Sequence, residues 1–352
     1  MENIINTCSH HDAKRKKILF ICKKRHYMKT DDGIEGKLTS SGLLNSAGFV
    51  VDMLNRNGID SKLVDVVDNN CIDREVTQYK PTHVIIEALW VVPEKFKILT
   101  KLHPKVKWII RLHSNIPFLS NEGIAFKWLS EYIKYKNVYL GSNTRQTVDA
   151  LEEMLNTKVF YLPNYYTIKE RKHKDSNSRF LDIGCFGAIR PLKNQLIQAV
   201  AAIEYANEND KILRFHMNGD RIEGRGEPVL ENIKALFAAN PKHELILHPW
   251  LNHKEFLDLV SKMDLGMQVS FSETFNIVAA DFVNCNVPVV VSPEIEWVSA
   301  IFKCPPTEKK KIKRTIGIAL WTSKLGLQHL NLIKLKNYCD ESECVWVHLF
   351  KK

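Results

Sequence analysis

Long apolar runs are missing from this sequence of 352 residues. None reaches the roughly 18 to 20 residues that span a bilayer. The richest stretch, Val84 to Val92, is interrupted by Glu87, so no transmembrane segment is expected. No secretory leader is expected either. The basic run Lys14 to Lys17 precedes only a short strand-like stretch, Ile18 to Cys22, and a cytoplasmic location is the expectation. The eight cysteines (8, 22, 71, 185, 285, 304, 339, 344) form no C-x-x-C pair, so buried free thiols are expected in place of disulfides or zinc. No two aspartates stand two apart, which removes the Asp-x-Asp metal-binding pattern. His243, His248 and His253 recur at a fixed spacing but bracket a strand and a turn, so their side chains are expected to diverge. No metal ligand set and no cofactor are assigned.

What is present is globular. Apolar residues make up 45% and charged residues 26% of the chain, and the length suffices for two domains with full cores. The formal charge of +10 favours an anionic partner: a nucleotide diphosphate, an acidic membrane surface or nucleic acid. Basic clusters lie at Lys14 to Lys17, Lys23 to Arg25, Arg171 to Lys174 and Lys309 to Arg314. Each equally suits a solvated face.

Strands and helices alternate. Lys16 to Cys22 reads as a strand, residues 23 to 41 as a mobile polar loop, Gly42 to Arg56 as an amphipathic helix and Ser61 to Val67 as the next strand. Further strands are His83 to Glu87, Lys107 to Leu112 and Asn137 to Gly141. His113 directly follows one of them, where a side chain faces the cleft of a parallel sheet. The alternative is a loop histidine bonded to a backbone carbonyl. Arg111 and Ser114 are lesser candidates. Phe118, Leu119, Phe126, Trp128, Leu129 and Tyr132 form an aromatic-rich helical patch, either core or an acceptor cradle. Strand Val159 to Leu162 runs into Pro163-Asn164, and polar Lys169 to Ser178 suits a linker.

A second unit starts with strand Arg179 to Phe186, the turn Gly187 to Asn194 and a long helix. Leu213 to Met217, followed by Asn218-Gly219-Asp220, and Glu244 to Leu247 are further strands. Residues 264 to 292 then read as a strand (Leu265 to Val269), a polar turn (Ser270 to Glu273), a helix (Thr274 to Cys285) and a strand (Val289 to Val291), with Asn286 suited to a left-handed helix end. That reading places Ser272, Glu273 and Thr274 at a helix N-terminus, where free amides favour a phosphate. It also places Asp281 roughly 12 Å further along nearly the same face. The bland alternative is an acid near a helix cap and another on a solvated face.

Ser270-Phe271-Ser272-Glu273-Thr274-Phe275-Asn276, then Asp281, then Pro288-Val289-Val290 resembles the signature of the retaining glycosyltransferases of family four, or group one. Their pattern is Ser-x-x-Glu-x-Phe-Gly, a second Glu, and Gly-x-Pro-Val-Val. Asn276 and Asn286 replace glycines, and Asp281 replaces the second Glu. The resemblance implies an α/β protein of GT-B type, two Rossmann-like domains facing a cleft. It implies that Glu273 contacts the transferred sugar, Asp281 holds the nucleotide ribose and His113 lies near the reacting sugar. Gly187 to Lys193 is similar to the family's Gly-Arg-x-x-x-x-Lys loop. Lys193 matches the Lys that neutralises the departing diphosphate, Ala188 replaces the Arg, and Arg190 is expected to compensate. Gly219 matches a glycine at the nucleotide end of the cleft.

The implied activity is metal-independent transfer of a hexose or pentose from a nucleotide-diphosphate sugar to a hydroxyl, with retention on the strength of the resemblance alone. A glycan or lipid-linked glycan is the first acceptor considered. A hydroxymethylated DNA base is an alternative, as is an epimerase-like or nucleic-acid-binding protein of the same fold. The expected organisation is an acceptor-side domain over residues 1–166, a linker over 167–178, a nucleotide-sugar domain over 179–306, and a helical segment over 307–352 packing back toward the first domain.

Overall fold

The computed structural model describes residues 16–24, 42–169 and 179–351. The basic clusters at residues 14–15, 25 and 171–174, most of the loop over 23–41, and most of the expected linker lie outside them. Strands β1 (Lys17–Lys23), β2 (Asp60–Val66), β3 (His83–Glu87), β4 (Lys107–Leu112), β5 (Val138–Ser142) and β6 (Val159–Tyr161) form one sheet in the order β2-β1-β3-β4-β5-β6. Strands β7 (Phe180–Gly184), β8 (Ile212–Asn218), β9 (Glu244–His248), β10 (Leu265–Gln268) and β11 (Val289–Val291) form a second sheet, ordered β11-β10-β7-β8-β9. All pairings within both sheets are parallel. Parallel strands need crossovers and coverage on both faces, which is why their sequences are near-continuous apolar runs. Ile18 to Ile21 and Val289 to Val291 are fully buried, each side chain contributing roughly 1.5 to 3 kcal/mol of burial free energy.

Two parallel α/β sheets, each in its own core, make this a GT-B fold. The carboxyl ends of the strands carry the polar residues, and the two units meet there. The C-terminal helix His329–Lys351 touches both. Leu332 and Leu335 belong to the second core, while Trp346 and Phe350 complete the first beneath Phe20. Trp346 Nε1 donates to Pro163 O at 2.8 Å, so its one polar atom is satisfied inside the core.

Two expectations are corrected here. The helix expected from Thr274 runs only over Ile277–Asn284. Asn276 at φ 54° breaks the helical backbone, and its side chain accepts from the Ala279 N–H at 2.8 Å. Ser272, Glu273 and Thr274 are therefore loop residues and not a helix N-terminus. Arg111 does not face the cleft; it is fully buried, bonded to Glu87 and to the carbonyls of Leu162 and Pro163. Within the aromatic patch, Leu119, Leu129 and Tyr132 are core, and Phe126 is exposed.

Candidate active site

The turn after β7 and the loop after β10 are tied together by buried amides. Gln268 Nε2 donates to Phe186 O at 3.0 Å, and Asn276 Nδ2 donates to Gln268 Oε1 at 3.0 Å. Asn194, left-handed at φ 58°, sends Nδ2 to Val269 O at 2.9 Å. The Phe271 N–H meets Leu192 O at 2.9 Å. This lacing brings the side chain of Lys193 onto Glu273, Nζ donating to Oε1, with both side chains nearly buried. Gly187, at φ 123°, leaves room beside them: an added Cβ would stand 3.8 Å from Lys193 Nζ. Ser272 Oγ and Ser270 Oγ, in the same loop, are buried without a protein hydrogen-bond partner among the described residues.

The first domain closes on this loop. Thr274 Oγ1 donates to His113 O at 3.2 Å and accepts from Asn143 Nδ2 at 3.0 Å. Asn115 Nδ2 donates to Glu273 O. His113 turns Nε2 onto the buried Glu87 carboxylate. Burial alone would raise the Glu87 pKa, but the charges of Arg111 and His113 more than offset it and hold the carboxyl below its ordinary value. Burial, with Arg111 nearby, lowers His113 despite the opposing pull of Glu87. Arg190 turns another way. Its guanidinium lies 4.5 Å from the Phe118 ring centroid and pairs with Glu223 at 3.4 Å.

Beside Gly187 a cleft pocket encloses about 490 Å³ of empty space, its open mouth included. Gly42 and Asn45 line it from the first domain, and Asn218, Trp250, His253 and Asp281 from the second. Asp281 is 2% exposed, and its Oδ1 accepts from Tyr166 Oη at 2.7 Å and pairs with His253 Nε2 at 2.8 Å. Burial raises the Asp281 pKa, and the His253 and Tyr166 contacts offset only part of that. Gly219 does not line this pocket; an added Cβ there would meet Leu247 Cβ at 2.9 Å, so the residue serves strand packing.

Sequence-designated Lys193, Glu273, Gly187 and Ser272 thus come together, with His113 opposite the loop and Asp281 in the adjoining pocket. Thr274 is an interdomain latch. Sequence reasoning missed Glu87, Asn115, Asn143, Tyr166 and His253 as site residues. Glu87 had a usable signal, a lone carboxylate inside an apolar strand. The others had none, because their partners lie far away in the chain. His243, His248 and His253 do diverge: His243 Nδ1 accepts from Leu213 N–H at 3.1 Å, His248 stacks on His216, and His253 holds Asp281.

The architecture is that of GT-B proteins, and solved structures share it. Sucrose-phosphate synthase from Thermosynechococcus elongatus superposes with TM-score 0.68 at 11% identity, covering 96% of this chain and 98% of that one. A UDP-forming trehalose-phosphate synthase from Burkholderia xenovorans gives TM-score 0.61 at 11% identity, covering 95% and 98%. Anabaena HepE, solved in complex with UDP and glucose, gives 0.59 at 13% identity, covering 95% of each chain. At such identities the likeness is one of fold. No protein-family model and no curated protein sequence matches the chain.

Proposed function

We propose that this protein is a glycosyltransferase that moves a sugar from a nucleotide-diphosphate sugar to a hydroxyl, with retention, the acceptor being a glycan or lipid-linked glycan. The observation that carries the proposal is the Lys193–Glu273 pair beside Gly187 at the edge of the interdomain pocket. When the anomeric bond breaks, negative charge collects on the leaving diphosphate. Lys193 exchanges its Glu273 partner for that diphosphate, and the unpartnered Ser272 hydroxyl lies in the same loop to donate to it. Such a preorganised donor is worth about 3 to 4 kcal/mol of barrier. Glu273, released, accepts from a hydroxyl of the transferred sugar. The pocket beyond Gly187 takes the nucleoside, with Asp281 at its ribose. His113, held by Glu87, faces the reacting sugar from the first domain. No metal and no cofactor enters this scheme.

The likeness in fold to HepE, solved with UDP and glucose, makes UDP-hexoses the first donors to try. The test is a thermal-shift screen against nucleotide sugars, followed by transfer of labelled sugar from each donor that binds. A donor that raises the melting midpoint and releases its nucleoside diphosphate only when an acceptor glycan is present supports the proposal. No stabilisation by any nucleotide or nucleotide sugar would sink it.

A further inference from the structure

We propose that the corner between helices Lys309–Ser323 and His329–Lys351 is a docking surface for an anionic lipid bilayer, separate from the cleft and independent of the reaction assigned to it. Trp321 (63% exposed), Leu325 (58%), Leu327 (37%), Leu330 (39%) and Ile333 (55%) crowd this corner. Ile301, 42% exposed, adjoins them, because the Ser299 N–H donates to Asn331 Oδ1 at 3.0 Å. The inner faces of the same helices are already satisfied: Ile312, Ile316, Ala319, Leu332 and Leu335 are buried in the second core. The outward set therefore contributes nothing to that core. Gathered apolar patches of this kind mark interaction surfaces.

The surrounding charge identifies the occupant. From Lys309 to Lys336 the chain carries eight Lys and Arg and no Asp or Glu, in a protein whose formal charge is +10. Lys309 and Lys313 turn toward Glu204 and Glu208, and Lys311 toward Glu308. Lys310, Arg314, Lys324 and Lys334 are exposed and make no ion pair among the described residues. Lys310, Arg314 and Trp321 share one helix face, as do Leu330, Ile333 and Lys334. An aromatic and aliphatic centre rimmed by long cationic side chains is what a headgroup boundary accommodates: the apolar groups enter and the ammonium heads reach lipid phosphates. A second copy of the chain would lay this cationic rim against itself. Nucleic acid would use the cations but leave Leu325, Leu330 and Ile333 in water. The protein would lie on the bilayer, since no helix among the described residues is long and apolar enough to cross one.

The experiment is flotation of the full chain with phosphatidylcholine vesicles, with and without phosphatidylglycerol, at low and high salt. Binding to the phosphatidylglycerol vesicles, weakening with salt, is expected. The triple variant Lys310→Glu, Lys324→Glu, Lys334→Glu should weaken it about a hundredfold, at about fivefold per cation removed. The variant Trp321→Ser, Leu325→Ser, Ile333→Ser should abolish it even at low salt. Ile98→Ser, at an exposed site (52%) elsewhere, should change nothing. All these positions are exposed, and an unchanged melting midpoint verifies folding. Absence of flotation with anionic vesicles, or flotation unaltered in both triple variants, overturns the proposal. Salt-sensitive retention of duplex DNA in place of vesicles overturns it in favour of nucleic acid. A dimer in sedimentation equilibrium that Trp321→Ser dissolves overturns it in favour of self-association.

Discussion

Lys193 Nζ is hydrogen bonded to Glu273 Oε1 although 80 positions separate them in the chain. Each charge neutralises the other. Under the proposed reaction, a diphosphate entering between Gly187 and the loop that follows Val269 would meet a cation already aimed and already largely desolvated.

The first consequence concerns turnover. Lys193→Ala is expected to raise the barrier by about 3 to 4 kcal/mol and, because it strands the nearly buried Glu273 carboxylate, to lower the melting midpoint as well. Single-turnover transfer measures it, and a fully active variant would end the leaving-group role. Arg190→Ala is expected to cost less, because Arg190 is engaged with Glu223 and Phe118.

Glu273 and Asp281 should separate in binding experiments. Glu273→Gln is expected to lose transfer and keep affinity for the bare nucleoside diphosphate. Asp281→Asn should weaken that nucleotide by about 1 to 3 kcal/mol, the range for a hydrogen bond to a charged group. Because Asp281 also holds Tyr166 and His253, Tyr166→Phe is the control for lost structure. Calorimetry decides: equal losses in Tyr166→Phe and Asp281→Asn would make Asp281 a structural carboxylate.

Stability should depend strongly on the Arg111–Glu87 pair. Both side chains are fully buried, and removing one partner strands the other. Arg111→Leu is expected to cost about 3 to 5 kcal/mol in chemical denaturation. A loss below about 1 kcal/mol would show that Glu87 takes up a proton or finds another partner.

A pH dependence follows from His83. Burial first, then Lys107 and Lys16, lower its pKa from 6.5 to about 4. The unfolded chain binds this proton more readily, so the contribution is present above about 6.5 and is lost as pH falls toward about 4. Denaturant midpoints measured across this window should decline in the parent protein and decline less in His83→Gln. Identical slopes would remove His83 as the source.

Asn276 and Asn286 show how far the sequence could be read. Both stand where the resembled signature has glycine, and both adopt positive φ, 54° and 57°. Asn is among the few residues that tolerate the left-handed region, so the backbone geometry survives the substitution. The free cysteines were also legible: Cys22, Cys185, Cys285, Cys304 and Cys339 are buried free thiols. The helix start at Ile277 was not. Phe275 has the apolar spacing of a helical face but stacks on Tyr338 at 5.2 Å from a loop, and periodicity reports burial whatever backbone delivers it.

The sequence by itself determined the alternation of apolar strands and amphipathic helices, because each element's burial is written in its own residues, as continuous apolar runs in the strands and a 3.6 period in the helices. With that came the two parallel sheets and the strand ends where His113, Lys193 and Glu273 sit. Only the tertiary structure decided which side chains face one another. Asp281 is held by Tyr166, 115 positions away, and Glu87 by Arg111 and His113. Such contacts are set by how two domains close and by the need of every buried charge for a partner, and no local pattern records either.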